Sequence, residues 1–158
     1  MMVWIFGALL LLPALLPGPS RAATVEETAA TCIACHGEDG VPISPEIPVI
    51  FGQQEGYLYI QLRDFNKGIR KSDVMNGIAG ELSKDEMKAL AANFAARTWP
   101  RLEQTATAEQ ASVASQVNTA GMCTSCHMDG FVGASTAPRL AGQQQSYLEL
   151  TLHQFKTK

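Results

Sequence analysis

The stretch Cys32-Ile33-Ala34-Cys35-His36 recurs 91 residues later as Cys123-Thr124-Ser125-Cys126-His127. Past the histidines one residue is deleted and the offset becomes 90. Pro48 then matches Pro138, Gly52-Gln53-Gln54 matches Gly142-Gln143-Gln144, and Tyr57-Leu58, Leu62 and Phe65 match Tyr147-Leu148, Leu152 and Phe155. Eight identities across 18 aligned positions exceed what composition supplies, so the chain contains a duplicated unit.

The repeated C-x-x-C-H pattern carries the chemistry. It is the attachment sequence of c-type haem, and helical geometry explains the spacing. Cys32 and Cys35 are three apart and share a face, where their sulfurs can form thioethers with the two vinyl groups on one porphyrin edge. His36, four residues after Cys32, lies on that face and can ligate the iron; Cys123, Cys126 and His127 repeat the arrangement. The sequence therefore predicts two covalently bound haem c groups and uses all four cysteines of the chain. Zinc, a thioredoxin-like redox pair and two disulfides are the alternatives. The two cysteine pairs are separated by 87 intervening residues and each has its own histidine, which structural zinc does not require, and no βαβ context surrounds either. Disulfides in an exported chain are the remaining competitor.

Working outward, Val25 to Thr31 reads as a short helix running into Cys32, and Gly37 to Pro48 as loop. Gln54 to Phe65 places Tyr57, Leu58, Leu62 and Phe65 near one helical face, ended by Lys67-Gly68. Ile69 to Leu82 reads as mixed loop. Ser83-Lys84-Asp85-Glu86 is a capping box opening a helix with Met87, Leu90, Ala91 and Phe94 at 3,4 spacing, ending near Arg97. Thr107 with Gln110 caps a further helix that leads into Cys123. No segment alternates with period two, so the fold class is all-α. The division expected is a signal peptide over 1–22, a first unit over 23–100, a linker over 101–106 and a second unit over 107–158. From Cys32 the first unit runs 66 residues to Arg97, whereas 36 remain from Cys123. The second unit is thus expected to lack its last helix, with Leu148, Leu152 and Phe155 incompletely covered, the sequence being either a fragment or one that a partner covers.

Residues 1–22 read as a secretory signal: Val3 to Leu16 is apolar, Pro17-Gly18-Pro19 follows, and Ser20-Arg21-Ala22 supplies small residues for cleavage after Ala22. The alternative is an uncleaved anchor, since the n-region has no Lys or Arg. The whole chain has 158 residues, 46% hydrophobic and 17% charged, with 12 Lys+Arg against 15 Asp+Glu. That balance excludes a disordered tail and a basic nucleic-acid binder.

The iron's other face decides what such a haem does. After the signal, the first unit offers Met75 and Met87 and no second histidine. Met87 sits within the amphipathic helix and reads as a core residue. Met75, read as loop 39 residues after His36, is the expected thioether ligand, and a Met ligand raises the potential. The counterpart of Met75 would fall beyond Lys158. Met122 and Met128 flank the second motif on its proximal side, and His153 reads as a solvated or packed histidine.

Cys-x-x-Cys-His-Gly, Pro48-Val49-Ile50-Phe51-Gly52-Gln53, Tyr57 with Leu58, Gln61 and Leu62, then Met75-Asn76-Gly77-Ile78-Ala79 and Leu82-Ser83 before a closing helix together resemble a class I cytochrome c domain. The tandem arrangement resembles the dihaem cytochrome c4 family of periplasmic electron carriers, over residues 23–158. The resemblance implies that the Pro48 carbonyl accepts the Nδ1 hydrogen of His36 and that Pro138 does so for His127. Met128 stands where the family has the glycine matched by Gly37, so the resemblance does not carry that turn over to the second histidine. The function expected is electron carriage between respiratory or dehydrogenase partners (a respiratory complex, an oxidase or a dehydrogenase), with no membrane span after signal cleavage and no enzyme activity. The alternative is a protein that binds oxygen, nitric oxide or peroxide at an open second iron, where only His153 and Glu149 follow His127 as polar candidates.

Overall fold

The structure is a computed structural model that describes residues 23–157. The expected signal peptide lies outside the described residues. Among the described residues the regular elements are helices, with one isolated bridge between Ala134 and Ala137, in accord with the all-α expectation.

Helix α1 (Val25–His36) begins where Thr24 and Glu27 cap one another: Thr24 Oγ1 accepts from the Glu27 N–H, and Glu27 Oε2 accepts from the Thr24 N–H at 2.7 Å. Helix α2 (Glu55–Asn66) follows a long loop and stops at Lys67, after which Gly68 takes φ +65°. Helix α4 (Lys84–Ala95) opens on the Ser83/Glu86 capping box read from the sequence. It packs across both α1 and α2 because its apolar stripe has two surfaces to meet. Ala29 from α1, Leu58 from α2, Leu90, Ala91 and Phe94 from α4, and Phe51 from the loop form one cluster. Leu90 is 1% exposed, and burying such a side chain is worth about 2 kcal/mol. The Arg97 guanidinium lies 4.6 Å from the Phe51 ring centroid and 4.8 Å from that of Phe94, closing the cluster's edge.

Two sequence expectations need correction. The segment read as loop between Ile69 and Leu82 contains helix α3 (Asp73–Gly80). Its two glycines lower helix propensity and hid it, but side chains anchor it at both ends. Ser72 Oγ accepts from the Met75 N–H, and Asn76 Nδ2 donates to the carbonyls of Phe65 (2.6 Å) and Arg70 (2.8 Å). Asn66 Nδ2 donates to the Ala79 carbonyl at 2.8 Å. Two asparagines thus hold α3 against the end of α2.

The second correction concerns helix α5 (Ala108–Gly121). It is capped by Thr107 and Gln110 as expected, but it does not run into Cys123. Met122 takes a left-handed conformation, φ +50°, and the motif begins anew in the one-turn helix α6 (Thr124–His127). α5 has no buried residue, whereas α1 is held by α4 through Ala29. Without packing to favour a continuous helix, the break at Met122 meets no opposition. A 3₁₀ turn at Asp129–Phe131 and a loop lead to helix α7 (Gln145–Lys156). Of the three α7 residues expected to be incompletely covered, Leu152 and Phe155 are each 66% exposed and Leu148 is half-buried.

The turn after each histidine is alike in one respect. Gly37 has φ +87° and Met128 has φ +63°, so the methionine adopts the positive φ that the glycine adopts freely. A side chain at this φ costs on the order of 1–3 kcal/mol. Met128→Gly is therefore expected to stabilise the protein by about 1 kcal/mol after the entropy of the added glycine is counted, seen as a higher thermal midpoint. Gly37→Ala is expected to lower the midpoint, because the new Cβ would press on the Val41 backbone. An unchanged or lower midpoint for Met128→Gly would contradict the strain.

Candidate haem-binding sites

The first motif occupies the last turns of α1, and the second forms the single turn of α6. Cys32, Cys35 and Cys123 are half-buried, Cys126 is exposed, and all four are free thiols. Among the described residues no group of three or more His, Cys, Asp or Glu is placed to hold a metal ion. Neither the paired-cysteine zinc site nor the disulfide arrangement is therefore formed. In the second motif the His127 N–H donates to the Cys123 carbonyl at 3.0 Å, so the helical spacing of Cys and His survives the break at Met122.

The histidines are oriented identically. His36 Nδ1 lies 2.7 Å from the Pro48 carbonyl oxygen, and His127 Nδ1 lies 2.8 Å from that of Pro138. A carbonyl can only accept, so Nδ1 carries the hydrogen and Nε2 keeps the lone pair that a metal needs. Burial pushes the His36 pKa below the ordinary histidine value, with the Pro48 bond acting against it, and so favours the neutral ligating form. Burial likewise pushes the Cys32 thiol up, keeping it protonated.

Among the methionines, Met87 is 5% exposed inside α4 and belongs to the helix core, as its spacing indicated. Met75 is half-buried in the first turn of α3, so it is presented by a helix and not by the loop expected. Met122 and Met128 are 68% and 46% exposed. His153 is exposed on α7.

Sequence reading passed over the residues that join the two units. Gln53 Nε2 donates to the Arg139 carbonyl at 2.9 Å, and Gln53 Oε1 accepts from the Arg139 N–H at 2.7 Å. In mirror fashion Gln143 Nε2 donates to the Val49 carbonyl at 2.9 Å, and Gln143 Oε1 accepts from the Val49 N–H at 2.8 Å. Both glutamines are buried, at 3% and 5% exposure. Beside them the Tyr57 and Tyr147 hydroxyls meet at 3.4 Å, and Arg70 Nη2 donates to the Tyr147 oxygen at 3.0 Å. Burial, reinforced by Tyr147, pushes the Tyr57 phenol well above its usual pKa. The signal was in the repeat: Gln53, Gln143, Tyr57 and Tyr147 are among its identities.

These residues fit a covalently held haem. Each site offers two free thiols one helical turn apart and an imidazole whose Nε2 is left available. Trp99 Nε1 is buried with no acceptor among the described residues, a polar atom left over for a bound group, and the Arg139 guanidinium lies 4.6 Å above its ring.

No protein-family model matches the chain. The chain is 35% identical over 145 residues to cytochrome c4 of Pseudomonas aeruginosa, an alignment covering 85% of this chain and 71% of that protein. The chain belongs to the cytochrome c4 family. Members of this family are dihaem electron-carrying cytochromes with two covalently attached haem c groups. The chain is also 34% identical to a thiosulfate dehydrogenase electron acceptor of Thiomonas intermedia, covering 87% of this chain and 68% of that one. Among solved structures, reduced cytochrome c4 from Pseudomonas stutzeri superposes with a TM-score of 0.75 at 29% identity, covering 86% of this chain and 82% of that chain. The thiosulfate dehydrogenase of Marichromatium purpuratum superposes with a TM-score of 0.67 at 28% identity, covering 80% of this chain but 29% of its own.

Close approach of the units can be tested at Gly56. It lies in α2, where Ala ordinarily outperforms Gly by about 1 kcal/mol. Here a Cβ would sit 2.9 Å from the Ser135 carbonyl oxygen of the second unit. Gly56→Ala is therefore expected to lower the thermal midpoint despite the gain in propensity; a higher midpoint would mean that the two units are not in contact there.

Proposed function

We propose that this cytochrome c4 homologue is a carrier that accepts electrons from a dehydrogenase and delivers them to a respiratory acceptor outside the cytoplasm. The observation that carries this reading is the matched pair of Nδ1–proline bonds, each beside two free thiols, in units locked face to face by Gln53 and Gln143. In this reading Cys32 and Cys35 would bind one haem and Cys123 and Cys126 the other, His36 and His127 would each supply a nitrogen to an iron, and Met75 would supply a sulfur to the first. The first unit covers 23–100, the linker 101–106 and the second unit 107–158.

The haem supplies the one-electron chemistry. The chain's own residues hold it rigid. Pro48 and Pro138 fix the imidazole planes, and the cluster around Leu90 and Phe94 fixes α1. Asn66 and Asn76 hold the helix that presents Met75. Rigid ligands change little between oxidation states, which favours transfer over catalysis and supports a role without enzyme activity. The relatives named as electron acceptors of thiosulfate dehydrogenase support a dehydrogenase as donor. No helix of the described residues is long and apolar enough to cross a membrane, which is compatible with carriage in the periplasm after removal of residues 1–22.

Protein produced with haem-ligation machinery is expected to gain the mass of two haems, retained through acid-acetone extraction. Gain of one haem, unaffected by replacing Cys123 and Cys126, would refute the assignment of the second site. Met75→Ala is expected to abolish the near-infrared sulfur-to-iron band and lower one midpoint potential, while Met87→Leu, a swap of similar volume, leaves both unchanged. Loss of the band in Met87→Leu alone would transfer the ligand role to α4.

A further inference from the structure

The interface glutamines touch the two peptide units that orient the axial histidines. The Val49 N–H that Gln143 accepts belongs to the same amide as the Pro48 carbonyl that His36 Nδ1 donates to. The Arg139 N–H that Gln53 accepts belongs to the same amide as the Pro138 carbonyl bonded to His127. Each relay therefore runs from an imidazole N–H into a carbonyl, through one resonant amide, and out of its N–H into a side-chain oxygen of the opposite unit.

Hydrogen bonds in series polarise one another. An amide that donates its N–H carries more negative charge on its oxygen. That oxygen then accepts more strongly from the imidazole, which gains basicity at Nε2. The Pro48–Val49 peptide is dry, since Val49 is 1% exposed and Gln143 is buried, so water cannot replace the side-chain acceptor there; at the half-buried Arg139 the acceptor is the buried Gln53. The amide flips are determined as well: Gln53 Oε1 also takes the Gln54 N–H at 2.8 Å and Gln143 Oε1 the Gln144 N–H at 2.9 Å, while each Nε2 faces a carbonyl.

We propose that Gln53 and Gln143 are crossed positioning residues: Gln143 of the second unit tunes His36 through the Pro48–Val49 peptide, and Gln53 of the first unit tunes His127 through the Pro138–Arg139 peptide. The proposal rests on His36 and His127 being the axial ligands. It makes each centre's electronic character a function of the other unit's side chain. Any partner that loosens the interface would then shift both centres.

The test uses the dihaem protein with Gln143→Met, Gln143→Glu and Gln53→Met. Midpoint potentials are assigned by following NMR signals of Ile33 and Thr124, the neighbours of each motif's cysteines, through a redox titration. Gln143→Met removes the acceptor and is expected to raise the potential of the first haem alone. Gln53→Met is expected to raise that of the second alone. Gln143→Glu keeps an oxygen toward the Val49 N–H and is expected to leave the first potential at or below the parent value. In the ferrous state the His36 Nδ1–H resonance is expected to move upfield in Gln143→Met, reporting a weaker bond to Pro48. A glutamine that shifts its own unit's haem, both haems equally, or neither would overturn the crossed relay, as would Met and Glu variants shifting in the same direction. If the His36 ring protons lack the ring-current shift of an axial ligand in the parent protein, the ligand assignment itself fails, which is a separate outcome.

Discussion

Two peptide units, Pro48–Val49 and Pro138–Arg139, bear the demands of both halves of this molecule. On the carbonyl side each holds an imidazole plane; on the N–H side each is gripped by a glutamine from the other half. An amide buried from water must satisfy both of its polar ends, and here one end serves the cofactor site and the other the interface. The arrangement of the two units and the orientation of His36 and His127 are consequently a single problem. Among the described residues the ion pairs are Arg63 with its half-buried chain neighbour Asp64 and the exposed Arg101 with Glu103, both local in sequence, so neither joins the two halves.

The two halves are built unequally. Among the described residues, the buried apolar residues apart from Tyr147 lie between Ala29 and Phe94, and the second unit's buried polar side chain is Gln143. Both Tyr147 and Gln143 face the first unit. The second unit thus takes its order from contact with the first, through directional hydrogen bonds more than through a core of its own. Gln104 extends this by donating to the Gln143 carbonyl at 3.0 Å while accepting from the Gln145 N–H, which ties the connection between units to the start of α7.

Helix α3 shows how a segment can be misread at the level of local propensity. Asp73–Gly80 holds two glycines, which lower its helix propensity and outweigh the short 3,4 spacing of Met75, Ile78 and Ala79. What holds it is a set of asparagine bonds in both directions: Asn76 donates to the Phe65 carbonyl at the end of α2, and Asn66 of α2 donates to the Ala79 and Leu82 carbonyls, up to 16 residues away. Met75 was singled out by residue type and distance from His36. Its presentation from a helix became visible only with those bonds.

The sequence by itself determined the duplication, the helical class and the two cysteine–histidine motifs, because covalent spacing and 3.6-residue periodicity are local and survive in any one segment. The capping boxes at Ser83 and Thr107 belong to the same category, each closing within three residues. The proline partners of the histidines were legible through family resemblance, though their distances were not. Only the tertiary structure decided that α5 breaks at Met122, that α3 exists, and that Gln53 and Gln143 exchange across the interface. The α3 bonds link residues up to 16 apart and the glutamine bonds residues 86 and 94 apart, while α5 lacks the packing that holds α1. A glutamine in a repeated motif reads as polar surface until the opposing backbone amide, with no water to bond, requires it.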